Sequence, residues 1–207
     1  MAEKKAKNIE QVAIFGSSHD VGNSKLIKEV TEVTKELAES GYIVVNGGGP
    51  GVMRASTIGA KSGGGKVIGV TFQAEKEMHY EGRDLENKFD IEIKTKNYLE
   101  RTLTLLREGQ VYVIFNGGTG TISEFGMAWG LAKLYFGHHK PLILYGKFWE
   151  KIIKAFKENM LLTKEEQEVY KIVDTPKGVL EAIMNFEQEL ERGEHQHIKT
   201  TRGDFTL

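Results

Sequence analysis

The run Val111-Tyr112-Val113-Ile114-Phe115-Asn116-Gly117-Gly118-Thr119-Gly120-Thr121-Ile122-Ser123-Glu124 decides the fold. Its first five residues are apolar, β-branched or aromatic, the composition of a strand buried on both faces of a parallel sheet. Three glycines in four residues follow, and a helical pattern begins near Thr121. Glycine lets a backbone take positive φ and come close to a ligand, and a helix start leaves several N–H groups without partners. Strand, glycine turn and helix N-terminus in series make an anion site, most naturally for a phosphate. A tight turn with a capping Thr121 and a surface glutamate is the plainer alternative for the same segment. Glu124 falls about one turn into the helix. A carboxylate hardly helps to hold a phosphate, so its position points to chemistry on the same ligand.

On the N-terminal side, Gln11–Phe15 reads as the first strand, ending in the turn Gly16-Ser17-Ser18. Ser24 could cap a helix reaching Glu39, with Leu26, Ile27, Val30, Val33, Thr34 and Leu37 at amphipathic spacing. Tyr42–Val45 is the second strand and runs into Asn46-Gly47-Gly48-Gly49-Pro50-Gly51. Val52–Lys61 is helical, and its small residues Ala55, Ser56, Gly59 and Ala60 let it pack close to the sheet. Val67–Phe72 is the third strand, and Gln73–Lys88 reads as a long mobile loop over the site. Phe89–Ile93 is a short fourth strand and Tyr98–Arg107 a helix. Beyond the opening run, a helix over Thr121–Tyr135, a strand over Pro141–Tyr145 and a helix over Phe148–Asn159 follow. A capped turn at Thr163–Glu168, an edge strand at Ile172 and Val173, and a helix over Pro176–Arg192 complete the pattern.

This alternation implies a single doubly wound, mostly parallel α/β sheet with helices on both faces, a Rossmann-like arrangement spanning residues 11–192. Residues 1–10 read as a flexible lead and 193–207 as a polar tail, either without order or an arm on a partner subunit. Ligands on such sheets bind beyond the carboxyl ends of the strands, where the winding reverses. The glycine turns after Phe15, Val45 and Phe115 would meet there.

Composition narrows the chemistry. The 207 residues carry a formal net charge of -1, which gives no pull toward a nucleic acid polymer or an anionic membrane. There is no cysteine, so disulfides and thiolate catalysis are out, and a cytoplasmic location is expected. Neither a signal peptide nor a membrane-spanning run is evident. Gly-x-Gly-x-x-Gly is missing after the first strand, as is any Gly-x-x-x-x-Gly-Lys-Ser/Thr run, which argues against a dinucleotide enzyme and an ATPase. His138-His139 and His195-x-His197 lack the nearby carboxylate or cysteine of a metal set, so no metal and no cofactor are expected. Trp129, Met127 and Leu131 read as helix packing, with Trp129 also able to line a subunit interface.

Two segments together resemble one family. Gly47-Gly48-Gly49-Pro50-Gly51-Val52-Met53 with Gly59-Ala60, and Gly117-Gly118-Thr119-Gly120-Thr121-x-x-Glu124, are similar to the two motifs of the LOG ("Lonely Guy") family, nucleoside 5′-monophosphate phosphoribohydrolases often mislabelled lysine decarboxylases. Asn116 stands where the family has proline. Arg101 matches the first residue of the family's Arg-Lys pair, fifteen residues before Asn116, while Thr102 replaces the lysine. Gly16-Ser17-Ser18 is similar to the family's first-strand turn, and the likeness covers roughly residues 11–160. The resemblance implies hydrolysis of the N-glycosidic bond of an AMP-like nucleotide or cytokinin riboside monophosphate, giving free base and ribose 5-phosphate. It implies that Gly117, Gly118, Thr119, Gly120 and Thr121 hold the phosphate, and that Gly47, Gly48, Gly49, Gly51, Met53, Gly16, Ser17 and Ser18 complete the nucleotide site. Glu124 would act on the sugar and Arg101 would fix that carboxylate, in a homodimer. The departures at Asn116 and Thr102 imply altered phosphate affinity or base preference rather than loss of the fold. A non-catalytic carrier or sensor of a nucleotide or of the phosphate-bearing molybdenum cofactor, on the same scaffold, is the alternative.

Overall fold

Along β1 (Gln11–Phe15), Val12 and Ile14 are buried on one face and Ala13 and Phe15 on the other, so this strand needs cover on both sides. The computed structural model, which describes residues 8–19, 25–72, 83–137 and 139–192, supplies that cover with two helical layers. The other strands are β2 (Ile43–Asn46), β3 (Val67–Phe72), β4 (Ile91–Thr95), β5 (Val111–Ile114), β6 (Leu142–Tyr145) and β7 (Tyr170–Val173). They form one sheet in the order β4-β3-β2-β1-β5-β6-β7, and every pairing is parallel. The doubly wound α/β reading is therefore right.

One core packs α1 (Lys25–Glu39), α2 (Val52–Ser62) and α7 (Pro176–Glu191) on the face of Val12, Ile14, Val111 and Val113. The other packs α3 (Tyr98–Glu108), α4 (Thr119–Leu134) and α5 (Phe148–Asn159) on the face of Ala13, Phe15, Tyr112 and Ile114. The short α6 (Lys164–Glu168) rests on α4, where Trp129 Nε1 donates to the Glu166 carbonyl at 2.6 Å. From β1 the chain winds outward through β2, β3 and β4, then returns to place β5 on the other side of β1. β1 and β5 therefore flank the switch point of the winding, beyond whose carboxyl ends ligands bind on sheets of this kind.

Several local expectations are corrected. Residues 8–10 are docked rather than loose: Ile9 is buried, and the Gln110 side chain accepts from the Glu10 and Gln11 amides at 2.7 and 2.9 Å. The fourth strand starts at Ile91 because Phe89 turns inward as a plug, with a Cβ on Gly69 of β3 meeting its ring at 2.5 Å. Residues 83–88 are no mobile loop, since Asn87 is fully buried and its Nδ2 donates to the Gly49 carbonyl at 2.9 Å. The remainder of the expected loop, 73–82, lies outside the described residues, as do Ser24, residues 1–7 and the tail 193–207. The motif helix begins at Thr119, two residues earlier than its pattern indicates.

Of the small residues of α2, Ala55 and Ala60 pack in the core beneath the sheet and Ser56 Oγ accepts from Asn46 Nδ2 of β2 at 3.1 Å, as expected, but Gly59 does a different job. Gly59 faces α1, where a Cβ would collide with Thr34 Oγ1 and the Thr31 carbonyl. Gly59→Ala should destabilise the fold by about 2 kcal/mol through overpacking of two backbones that cannot yield. Urea denaturation would show it as a lower midpoint at constant slope.

Candidate functional site

Ser17 ties the three glycine turns together. Its amide donates to the Asn116 carbonyl at 3.0 Å, and its own carbonyl accepts from the Val52 amide at 2.8 Å. Such close meeting needs missing side chains. A Cβ on Gly16 would meet the Val52 side chain at 2.7 Å, one on Gly117 the Ser17 amide at 2.8 Å, and one on Gly51 the Ser17 carbonyl at 2.5 Å. These glycines bring turn against turn. Gly118 and Gly120 differ: nothing lies within 4 Å of a Cβ on Gly118, and the Tyr98 hydroxyl alone lies near one on Gly120, at 3.4 Å.

Those two glycines border a cleft of about 350 Å³ lined by the first turn, by Gly47 and Met53, by Tyr98 and Arg101, and by Gly118–Thr121 with Glu124. Gly118 is the N-cap of α4 and offers no side chain, and the first helical bond runs from the Ile122 amide to the Gly118 carbonyl at 3.1 Å. The amides of Thr119, Gly120 and Thr121 therefore have no partner among the described residues and face the cleft end of the helix. The partial positive charge of a helix start suits such a position to an anion.

Arg101 and Glu124 form the cleft floor, 5% and 7% exposed. Arg101 Nε donates to the carbonyls of Gly47 at 3.1 Å and Val70 at 3.2 Å, and one terminal nitrogen reaches Gly47 O at 3.0 Å and Met53 Sδ at 3.3 Å. The other stands 3.9 Å from Glu124 Oε1. A Cβ on Gly47 would collide with this guanidinium, so the glycine is there to seat Arg101. Burial pushes the Glu124 carboxyl up to about 7, against the opposing pull of Arg101. At neutral pH the group is poised to give or take a proton, or to donate a hydrogen bond.

The structure thus brings Gly16, Ser17, Ser18, Gly47, Met53, Arg101, Gly118, Thr119, Gly120, Thr121 and Glu124 to one cleft. It does not bring Gly48, Gly49, Gly51 or Gly117 to the lining. The second turn is filled by protein: the Gly48 carbonyl accepts from the Asp84 amide at 3.0 Å, and the Gly49 amide donates to Met53 Sδ at 3.3 Å. Gly48 and Gly49 thus stand apart from this lining, although the resemblance counts both in the nucleotide site. Thr102 is fully buried and bonds back to the Tyr98 carbonyl at 3.1 Å, away from the cleft. Tyr98, Ile14, Phe15 and His19 also line the cleft and were not singled out from sequence. The three-residue step from Tyr98 to Arg101, one face of a helix, was the available signal. Elsewhere, His139 is buried and stacks on Phe136 with centroids 5.6 Å apart, while His138, His195 and His197 lie outside the described residues.

Residues 9–174 match the model of the SLOG cluster4 family. The chain belongs to this family. An uncharacterized protein of Archaeoglobus fulgidus is 31% identical over 138 residues, 66% of this chain and 84% of that one. Among solved structures, the Moco carrier protein of Chlamydomonas reinhardtii shares the fold with a TM-score of 0.64 at 22% identity, covering 88% of this chain and 99% of that chain. A molybdenum cofactor binding protein from the phototrophic bacterium Rippkaea orientalis does so at 0.62 and 22%, with 88% and 98% covered. At these identities the likeness of this SLOG cluster4 chain to the two proteins is one of fold.

The raised Glu124 makes a signed prediction. Its carboxyl binds a proton more tightly folded than unfolded, so stability falls as pH rises from the ordinary value of 4.5 to about 7 and stays low above that. The penalty amounts to about 3 kcal/mol above pH 7. Glu124→Gln should therefore be more stable than the parent at pH 8, with the gap closing toward pH 5. Urea titrations at the two pH values measure it, and a pH-independent gap would contradict the assignment.

Proposed function

We propose that this protein binds a nucleotide-type small molecule by its phosphate and acts as a carrier or sensor of it, the ligand being a nucleoside monophosphate or a phosphate-bearing pterin such as the molybdenum cofactor. The observation that carries this reading is the set of three unpartnered amides at Thr119–Thr121, beside two glycines that keep the space in front of them open. Two further facts favour holding over cleaving. Arg101 is tied to Gly47, Val70 and Met53 as a strut of the site, and Thr102 contributes no charge to the cleft. The fold shared with two proteins whose names describe molybdenum cofactor binding and carriage adds support.

Glu124 favours a second reading, N-glycosidic hydrolysis of a nucleoside 5′-monophosphate. A carboxyl near pH 7 on the floor of a phosphate-binding cleft suits general acid–base work. Water would add to C1′ as the bond to the base breaks, Glu124 taking the water's proton and later releasing it to solvent while the leaving base takes one proton from solvent. The products would be free base and ribose 5-phosphate. No helix among the described residues is long and apolar enough to cross a membrane. A homodimer belongs to the same proposal, supported by the exposed Ile122 and Leu134 on the motif helix.

Purified protein incubated with AMP, GMP, CMP and UMP separates the two readings, with binding followed by calorimetry and free base by chromatography. The carrier reading expects binding without base release. Base release that Glu124→Gln abolishes while nucleotide binding persists would replace the carrier with the hydrolase. Light scattering should give twice the chain mass; a single-chain mass would remove the dimer.

A further inference from the structure

Tyr98 is the first residue of α3, and its place is tightly set. The Asn97 side chain caps the helix by accepting from the Glu100 amide at 2.9 Å. Phe72 meets the Tyr98 ring edge-on, with centroids 6.1 Å apart and planes at 76°. One turn along the same face, the Arg101 guanidinium stands 5.9 Å from the ring centre. A ring held on these sides carries its hydroxyl to one position, 3.4 Å from where a Cβ on Gly120 would stand. That is directly beside the first turn of α4 and the unpartnered amides of the proposed phosphate cradle. The hydroxyl itself makes no hydrogen bond to any described residue.

The charge balance of the cleft gives this hydroxyl a purpose. Among the described residues Arg101 is the only arginine or lysine in the lining, and its nitrogens are directed to Gly47, Val70, Met53 and Glu124. A phosphate in the cradle is therefore held by neutral donors, and its oxygens on the α3 side need one more. We propose that Tyr98 is a ligand-binding residue, its hydroxyl donating to a phosphate oxygen held at the N-terminus of α4 and closing the cradle from the α3 side. This rests on the phosphate-binding reading above and holds whether the ligand is carried or cleaved.

Calorimetry with AMP, adenosine and ribose 5-phosphate tests it on the parent, on Tyr98→Phe and on Gly118→Ala, whose methyl enters open space at the cradle. The parent should bind AMP more tightly than adenosine. Tyr98→Phe keeps the ring and should weaken AMP and ribose 5-phosphate about tenfold, the scale of one hydrogen bond to a charged group, without changing adenosine binding or the melting temperature. If Gly118→Ala weakens AMP while Tyr98→Phe does not, the cradle stands and the role of Tyr98 falls. Equal losses for AMP and adenosine in Tyr98→Phe would make the residue merely structural and overturn the proposal. A parent that binds neither AMP nor ribose 5-phosphate, or that ignores the phosphate, would overturn the cradle and Tyr98 together.

Discussion

A buried guanidinium holds the site together. β2 pairs with β3 only as far as Asn46 and Gly69, and the next carbonyls, those of Gly47 and Val70, are taken up by Arg101 instead. Removing two backbone acceptors from water without partners costs free energy at each, so a donor with a planar fork suits the gap better than an ammonium would. Once seated, Arg101 fixes the second turn through Gly47, fixes Met53, and sets a positive charge within 3.9 Å of Glu124. The pair is loose by the standard of a bidentate bridge, and burial outweighs it, leaving the carboxyl near neutrality in its titration. A tighter bridge would have locked Glu124 as a permanent carboxylate. The loose one leaves its proton exchangeable, which serves either a general base or a group that must donate to a ligand.

The fold was legible because strands buried on both faces announce themselves as apolar runs, and Val111–Phe115 and Leu142–Tyr145 are such runs. The placement of Glu124 at the cleft was legible from its position one turn past the glycine bend, whereas that of Arg101 rested on the family resemblance alone. What each glycine does was not. A glycine in sequence says only that a side chain is missing, and the group that approaches it comes from far along the chain: Arg101 at Gly47, the Ser17 carbonyl at Gly51, the Ser17 amide at Gly117. Phe89 misled for a related reason, since β propensity favours a strand while the hole left by Gly69 draws the ring out of register. The start of α4 was misplaced because Thr121 is a good cap residue by type, yet the cap falls three residues earlier on Gly118.

The same distinction separates structural from ligand-facing glycines and so decides where a ligand can sit. Turn two, with its run of glycines, looks like the roomier half of the site, but Asn87, Asp84 and Met53 already hold its backbone groups. Turn three keeps Gly118 and Gly120 open and leaves three amides unpartnered. The rest of the lining includes Ile14, Phe15 and Met53 together with the first turn, where Ser17, Ser18 and His19 are polar. Three unpartnered amides, a titrating carboxyl and apolar side chains in one cleft are what the proposed ligand, a phosphorylated sugar bearing a flat ring system, would require. A simple phosphate ion would leave much of that lining unused, and among the described residues the one arginine of the lining is already occupied in holding the cleft together.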